Sequence, residues 1–374
     1  MVSQAASPLT LFLCGDVMTG RGIDQALPHP VEPTLHERYV KDARHYVELA
    51  ERARGPISRP LQYAAIWGDA LAELARFDSA LRLINLETSV TTTDEPWPGK
   101  GVHYRMHPDN VPCLTAAGIG CCTLANNHVL DWGIPGLLET LDTLADAGLA
   151  TAGAGRDVSE ARSPAIFPVP AGTQIVVFGL GRPSSGIPQA WTAEETIPGV
   201  NLLVRASDEA IAAFARQTEP YRRPGSIIVA SIHWGPNWGY DVPPARQDLA
   251  HRLIDDAGVD VVHGHSAHHV LGIEVYHERL ILYGCGDLLT DYEGIGGREA
   301  FRGDLGLMYF PELDPASGHL LSLTMTPTQM RRFQVKRARP QDGEWLQKTL
   351  NREGGRFNTR VRRDDDGRLH LIWR

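Results

Sequence analysis

Short apolar runs alternate with amphipathic segments along most of the chain. The runs are rich in β-forming residues and end in polar residues or glycine; they read LTLFLCGD, ALRLINLET, IGCCTLANNH, TQIVVFGLG, SIIVASIHWG, VDVVHGHS and RLILYGCGD. Between several of them lie segments of helical periodicity that end in glycine, such as PGLLETLDTLADAG and ARQDLAHRLIDDAG, and glycine commonly ends a helix. This alternation of strands and helices predicts an α/β fold.

Two segments do not follow this alternation of strands and helices. Residues 28–77 are mostly helical and charged in pattern, and we expect a helical insertion there that covers a site. Residues 331–374 carry the basic stretches RRFQVKRARP and RFNTRVRR. The simplest division is a catalytic domain over residues 1–330 and a basic C-terminal appendage over 331–374. The appendage could be a solvated face or could bind an acidic partner or a peptide carboxylate.

Charge and cysteine usage narrow the class of protein. The 374 residues carry a formal net charge of −9, which argues against a general nucleic-acid binder because phosphate contacts need clustered Lys and Arg. The five cysteines lie in apolar surroundings without CxxC spacing, as is typical of reduced cytoplasmic proteins. The first apolar run is too short to span a membrane. We therefore expect a soluble cytoplasmic protein with no membrane partner and no nucleic-acid partner.

Polar side chains that could bind a metal follow nearly every apolar run. They are Asp16, Glu87, Asn127, His128, His233, His265 and His268. The carboxyl ends of parallel strands meet at one edge of an open α/β sheet, where ligands bind. Carboxylate, amide and imidazole ligands together suit Mn, Fe or Zn better than Ca. The sequence therefore predicts a site for one or two divalent metal ions.

Further residues near these strand ends could contact a substrate. Arg21 and Arg105 carry guanidinium groups suited to carboxylate or phosphate, and Trp238 and Tyr240 could pack against an amide or an indole. Internal Arg–Asp pairs and core aromatic residues are the plainer alternatives. Asp287 ends another strand and could orient a ligand histidine.

The order of five short blocks resembles a known family. The blocks GDVM, NLET, NNHVLDWG, HWG and GHSAHHVLGIE follow one another between about residues 11 and 291. They are similar to those of the CapA or PgsA-like branch, named for poly-γ-glutamate biosynthesis, of the calcineurin-like metallophosphoesterase superfamily. The resemblance implies a four-layer α/β/β/α sandwich of the metallo-dependent phosphatase type.

The resemblance also implies roles for the strand-end residues. Glu87 would bridge two ions, Asp16 and His268 would hold one of them, and the second would be bound by Asn127, His233 and His265. His128 matches a histidine that donates a proton or a hydrogen bond to the reacting group. Met18 stands where the superfamily has a ligand histidine, so one metal position loses a ligand.

Some members of the family that this chain resembles act on peptides. Soluble CapA-like proteins occur in ribosomal-peptide pathways, and one of them is a lasso-peptide epimerase. On this likeness we predict a peptide epimerase that inverts the Cα centre of a C-terminal residue, with tryptophan as the expected residue. His128 and a second base, His269 or Glu87, would exchange the proton. The implied partners are a peptide substrate and a protein that binds its leader peptide.

Two other functions fit the same residues. One is a metal-dependent phosphoesterase for a small phosphoester, in which His128 protonates the leaving group. The other is a non-catalytic module that binds a peptide or polyglutamate.

Overall fold

The computed structural model describes residues 7–169 and 172–373. Within these ranges the strands are β1 (Leu9–Val17), β2 (Leu81–Leu86), β3 (Ser89–Val90), β4 (Arg105–Met106), β5 (Cys121–Thr123), β6 (Ala150–Ala152), β7 (Ala154–Gly155), β8 (Ala165–Val169), β9 (Thr173–Gly181), β10 (Gly199–Val200), β11 (Ser226–His233), β12 (Val261–His265), β13 (Ile273–Tyr276), β14 (Arg279–Leu282), β15 (Asp287–Leu289), β16 (Leu305–Leu313), β17 (Leu320–Arg331), β18 (Gln334–Arg337), β19 (Thr359–Arg363) and β20 (Leu369–Trp373). The α-helices are α1 (Gly22–Ala26), α2 (Arg44–Arg54), α3 (Ala70–Arg76), α4 (Pro112–Thr115), α5 (Gly133–Asp146), α6 (Val158–Arg162), α7 (Asp208–Thr218), α8 (Pro244–Asp255) and α9 (Pro340–Gly354).

Most of these strands belong to two sheets. The larger sheet has the order β19-β20-β17-β16-β1-β2-β5-β6, and β15 also pairs with β1. The smaller sheet has the order β13-β14-β12-β11-β9-β8. Strands β1, β2, β5 and β6 run parallel in the first sheet, and β9, β11, β12 and β14 run parallel in the second. The carboxyl ends of the central strands therefore gather at one edge of each sheet.

The two sheets share one hydrophobic core. Leu11 and Leu83 of the larger sheet are buried in the same cluster as Val177, Val229 and Val261 of the smaller sheet. Each strand alternates its faces, so the opposite faces of the same strands remain to be covered. Separate clusters containing helical side chains cover those outer faces. The prediction of an α/β fold is therefore confirmed.

The segment 28–77 contains α2 and α3 and lies against the larger sheet. Its buried side chains Val47, Ile66 and Trp67 belong to the same core cluster as residues of β1 and β2. These apolar contacts fix the segment to the sheet rather than leaving it as a separate unit.

The C-terminal residues also join the larger sheet. Residue 330 lies inside β17, and β20 pairs with β17 while β19 pairs with β20. Leu369 and Leu371 are buried in the core between the sheets. The division of the chain at residue 330 stays a prediction, and these contacts tie residues 331–374 closely to the preceding strands.

Candidate metal centre

The carboxyl ends of β1, β11 and β12 and the first residue of β15 bring acidic and histidine side chains together. Asp287 begins β15, so the prediction that it ends a strand is wrong. His233 ends β11, and His265 ends β12 as its register partner. On the other sheet Asp16 of β1 is the register partner of Asp287 of β15. All four side chains are buried. We call these residues, with Glu87, Asn127 and His268, the Asp–His cluster.

The first triad of the cluster consists of Asp16, His233 and His265. The Nδ1 atoms of the two histidines are 2.8 Å apart, and they lie 4.0 and 3.8 Å from Oδ1 of Asp16. Burial lowers the pKa of both histidines well below the usual range. Neutral imidazole is the form that binds metal ions. The three side chains each offer a ligand atom within 4.8 Å of the others, so they could hold one ion.

The second triad consists of Asp16, His268 and Asp287. Nδ1 of His268 lies 2.9 Å from Oδ1 of Asp287. Burial by itself would lower the pKa of His268, but the nearby Asp287 outweighs it and the pKa is raised. The ligand atoms of these three side chains also lie within 4.8 Å of one another. Asp16 is therefore common to both triads.

Glu87 and Asn127 lie beside the first triad. Oε1 of Glu87 is 3.8 Å from Nε2 of His233 and 3.7 Å from Nε2 of His128. Oδ1 of Asn127 is 2.8 Å from Nε2 of His233. The structure thus brings together every residue that the sequence selected as a metal ligand. Their individual ligand roles, including the bridging role of Glu87, stay predictions.

The electrostatics of the cluster suit a cation. Burial, followed by the charge of Asp287, raises the pKa of Asp16 to about 7. Burial and the charge of Asp16 raise the pKa of Glu87 well above its usual range. Among the described residues, Oε2 of Glu87 and Oδ2 of Asp287 are buried without a hydrogen-bond partner. Crowded buried carboxylates with unused oxygen atoms are stabilised by a bound metal ion, so the donor set fits the divalent ion predicted from the sequence.

Neighbouring groups hold the ligand side chains in place. Nδ2 of Asn85 donates to Asp16 at 2.7 Å, and the backbone N–H of Ser266 donates to it at 3.1 Å. Ser266 has a φ of 102°, a strained value for a residue with a side chain. Oγ of Ser231 lies 2.9 Å from Nε2 of His265, which leaves Nδ1 of that ring facing the first triad.

His128 lies at the edge of the cluster with an aspartate behind it. Its Nδ1 is 2.6 Å from Oδ2 of Asp131 and 3.1 Å from Nζ of Lys100. Burial lowers the pKa of His128 to about 4, although Asp131 acts in the opposite direction. The ring therefore presents Nε2 to the cluster. This arrangement can accept or donate a proton beside a bound ion.

The other two histidines of the HGHSAHH block belong to neither triad; Nδ1 of His263 lies 3.0 Å from Oγ of Ser231, which also contacts His265. Nε2 of His263 donates to the carbonyl oxygen of Cys14 at 2.6 Å. Nε2 of His269 accepts from the N–H of Gly239 at 3.1 Å, and its ring lies among the rings of Trp238, Tyr240 and Phe301. Both nitrogen atoms of His269 have backbone partners, which favours a structural role over its predicted role as a base.

The two arginines selected from the sequence form ion pairs with side chains of the protein itself. Arg21 pairs with Asp291 at 2.6 Å and with Glu37 at 2.7 Å. Arg105 pairs with Asp94 at 2.5 Å and lies over the ring of Trp132. These contacts match the plainer alternative for both residues. Their predicted contact with substrate stays a prediction, as do those of Trp238 and Tyr240.

A groove leads to the second triad. Its volume is about 910 Å³, and His268, Asn237, Trp238 and Tyr292 line the end next to the cluster. Its lining includes four arginines, at positions 54, 298, 302 and 339, and four acidic residues, Glu293, Glu299, Asp304 and Asp342. Arg302 pairs with Asp304 and Asp342, whereas Arg54, Arg298 and Arg339 have no ion-pair partner within the described part of the chain. The three arginines without an ion-pair partner could contact an anionic group of a bound molecule.

Sequence reasoning did not find several residues that complete the site. Asp131 and Lys100 contact His128, and Asn85 and Ser231 orient ligand side chains. Asp131 lies within the block NNHVLDWG, so an acidic residue three positions after His128 was a usable signal. Lys100 is distant in sequence from His128, and no local pattern indicates that contact.

Comparison with known proteins agrees with the family resemblance. The profile of the family described as "Bacterial capsule synthesis protein PGA_cap" matches residues 10–292. A probable polyglutamine synthesis accessory protein of Mycobacterium tuberculosis is 48% identical over 97% of this chain and 96% of the relative. The PGA biosynthesis protein CapA of Bacillus subtilis is 29% identical over 76% of this chain and 63% of the relative.

These relatives correct the prediction of a peptide epimerase. Their names assign them to polyglutamine and PGA synthesis, whereas the epimerase prediction depended on a likeness to proteins of ribosomal-peptide pathways. That prediction is wrong, and the likeness to a lasso-peptide epimerase is not confirmed. In the described residues we find no helix with the length and apolar character that a membrane span requires. The profile match and the relatives show that the chain belongs to the PGA_cap family of bacterial capsule synthesis proteins.

Proposed function

We propose that this protein is a metal-dependent phosphoesterase that serves the synthesis of a glutamyl or glutaminyl polymer. The observation that carries the proposal is the Asp–His cluster, in which two buried triads share Asp16, and the first triad lies at the carboxyl ends of β1, β11 and β12. The names of the relatives support the place in polymer synthesis. The proposal includes the four-layer metallophosphatase sandwich, which the shared core and the helical outer clusters support.

The ion would be Mn, Zn or Fe, held by residues of the two triads with Asn127 and Glu87 beside them. When bound, such an ion polarises a phosphoryl oxygen and makes water a stronger acid. The preference for these metals follows from the mixture of imidazole, carboxylate and amide donors. Burial of the ligands strengthens their interaction with the ion because little water competes in the cluster.

His128 and Asp131 would manage the proton in this reaction. Asp131 accepts the Nδ1–H of His128, so the tautomer and the direction of Nε2 are fixed. When Nε2 carries a proton it can pass that proton to the departing oxygen of the substrate. Asp131 stabilises the charged ring that exists before the transfer.

The groove would bind the anionic part of the substrate. Arg54, Arg298 and Arg339 are exposed along it, and arginine binds phosphate and carboxylate groups with two parallel hydrogen bonds. The groove also favours a second candidate function, in which the protein binds an acidic polymer or peptide without cleaving it. In both cases the partner is an anionic chain or ester.

Hydrolysis of bis(p-nitrophenyl) phosphate in the presence of Mn²⁺ tests the proposal. We expect release of p-nitrophenol by the wild-type protein and a loss of about 100-fold or more in His233→Ala, because a first-triad ligand is removed. His251→Ala is the matched control, because His251 pairs with Glu274 outside the cluster. The rate of hydrolysis by this variant should equal that of the wild-type protein.

Failure of the wild-type protein to cleave mono- and diester substrates with Mn²⁺, Zn²⁺ or Fe²⁺ would contradict the phosphoesterase proposal. Fluorescence anisotropy with a labelled glutamate oligomer then tests the second candidate function, which is binding of an acidic polymer without cleavage. Binding that weakens when the groove arginines are reversed in charge would favour a binding role.

A further inference from the structure

We propose that Asp287 is a metal ligand and that it preserves a second metal site in this chain although position 18 is methionine. The inference rests on the metal centre of the proposed function and extends it by assigning the second triad as a separate site. The family resemblance supplies no ligand role for a residue at this position. It implies only that Met18 removes one ligand from the site that contains Asp16 and His268.

The backbone places Asp287 directly beside Asp16. Strand β15 pairs in parallel with β1, and the two aspartates are register partners. The N–H of Asp16 donates to the carbonyl oxygen of Gly286 at 3.0 Å. A Cβ atom on Gly15 would lie only 1.6 Å from that same carbonyl oxygen. The glycine at position 15 therefore allows the close approach that sets the two carboxylates side by side.

The side chain of Asp287 has an unused oxygen in a buried position. The residue is only 3% exposed. Its Oδ1 lies 2.9 Å from Nδ1 of His268, whereas Oδ2 has no hydrogen-bond partner among the described residues. A buried carboxylate oxygen normally has a partner, and its absence calls for an explanation such as a bound ion. Asp16, His268 and Asp287 each offer a ligand atom within 4.8 Å of the others.

Among the described residues no lysine or arginine forms an ion pair with Asp16 or Asp287, and the basic groups beside them are histidines. Arg21 is the buried arginine nearest in the sequence to Asp16, and its guanidinium group pairs with Asp291 and Glu37. Lys100 pairs with Asp131. Two buried carboxylates beside each other are unfavourable without a positive charge. A divalent ion between Asp16, Asp287 and His268 would supply that charge.

Met18 is not an equivalent ligand. Its side chain is buried, and its sulfur atom accepts a contact from the hydroxyl of Tyr292 at 3.7 Å. A thioether is a soft ligand that suits copper(I), whereas Mn and Mg prefer oxygen. The carboxylate of Asp287 therefore provides the hard ligand that methionine does not.

The competing explanation is that Asp287 only orients the ring of His268. The variant Asp287→Asn distinguishes a metal ligand from a residue that only orients the ring. Its amide oxygen can still accept the Nδ1–H of His268, but the negative charge and the ligand oxygen are lost. A residue that only orients the ring would leave the number of bound ions unchanged. His268→Gln should lose the same ion as Asp287→Asn, and it is the second variant in case the first does not fold.

The experiment counts Mn²⁺ bound to chelator-treated protein by inductively coupled plasma mass spectrometry after equilibrium dialysis. We expect about two ions per wild-type chain and about one in Asp287→Asn and His268→Gln, because each variant removes one site. Asp260→Asn is the matched control: Asp260 is another buried aspartate, paired with Arg279 just before β12. Circular dichroism spectra and melting temperatures establish that each counted protein is folded.

Equal numbers of ions in wild type and Asp287→Asn would overturn the inference. If wild type binds about one ion and Asp287→Asn retains it, the second site fails while the metal-dependent proposal stands. If wild type binds no ion at all, both the inference and the proposed function fail.

Discussion

At the scale of single residues, hydrogen bonds occupy most polar atoms of the site and leave few oxygen atoms free to bind a metal ion. Asn85, Ser231 and Asp131 each use a hydrogen bond to fix one side chain of the site. What remains unpaired inside the cluster, within the described residues, includes Oε2 of Glu87 and Oδ2 of Asp287. These atoms are the ones that a metal ion would use.

Asp131→Asn should lower the rate of phosphoester cleavage by about 10²-fold or more. The amide no longer stabilises the charged ring of His128, and it can also hold that ring in the wrong tautomer. The number of bound metal ions should stay at the wild-type value, because Asp131 belongs to neither triad. Steady-state kinetics and metal analysis on the same sample measure both. A variant with an unchanged kcat would show that His128 does not handle the proton.

The residue types of the site could be predicted from the sequence, but part of its geometry could not. Asp16, His233 and His265 each follow an apolar run, and the rule that parallel strands end at one edge was enough to group them. Asp287 was expected only to orient a histidine. Its position as register partner of Asp16 depends on the pairing of β15 with β1, two strands that are far apart in the sequence.

At the scale of the elements, a buried ion pair fastens the helical insertion to the C-terminal strands. Glu73 of α3 accepts two hydrogen bonds from Arg368, both at 3.0 Å. Oγ1 of Thr326 on β17 donates to it as well, at 2.8 Å. Burial alone would raise the pKa of Glu73, but Arg368 outweighs burial and holds the pKa below its usual range.

Glu73→Gln should lower the free energy of unfolding by about 2 kcal/mol at pH 7, because the buried Arg368 loses its buried carboxylate partner and keeps only the exposed Asp366. A carboxylate with a lowered folded pKa stabilises the protein above its unfolded pKa and loses that contribution as the pH falls. The difference between wild type and variant should therefore shrink below about pH 4.5. Urea unfolding across this pH range measures it.

The control for this variant is Glu344→Gln. Glu344 pairs with Lys348 on the exposed face of α9, where its side chain is 51% exposed. Such surface pairs contribute less than about 1 kcal/mol. A Glu73→Gln variant as stable as this control at neutral pH would contradict a role for the buried pair in holding α3 to the C-terminal strands.

At the scale of the whole molecule, the two segments that the sequence set apart belong to the main structure. The alternation of apolar runs predicted the α/β fold, since it reports strands and helices directly. Basic residues in 331–374 suggested an appendage, but local charge does not report long-range strand pairing. Leu369 and Leu371 enter the shared core, and Arg368 meets Glu73 from the other segment.

The overall arrangement gives the Asp–His cluster a rigid frame. β1 and β15 supply two of its carboxylates from one sheet, and β11 and β12 supply histidines from the other. Because both sheets share one core, packing fixes the strand residues Asp16, His233, His265 and Asp287, while Glu87, Asn127 and His268 lie in the segments that follow β2, β5 and β12. Such pre-organisation is what a metal-dependent hydrolase requires.

The most direct test of the account is anomalous X-ray diffraction from crystals of the wild-type protein grown with Mn²⁺. The account predicts an anomalous peak bounded by Asp16, His233 and His265, and a second one bounded by Asp16, His268 and Asp287. Ligand atoms should lie about 2.0–2.3 Å from each peak. Crystals that contain Mn²⁺ but show no peak within the Asp–His cluster would contradict the central claim that this cluster is a metal centre.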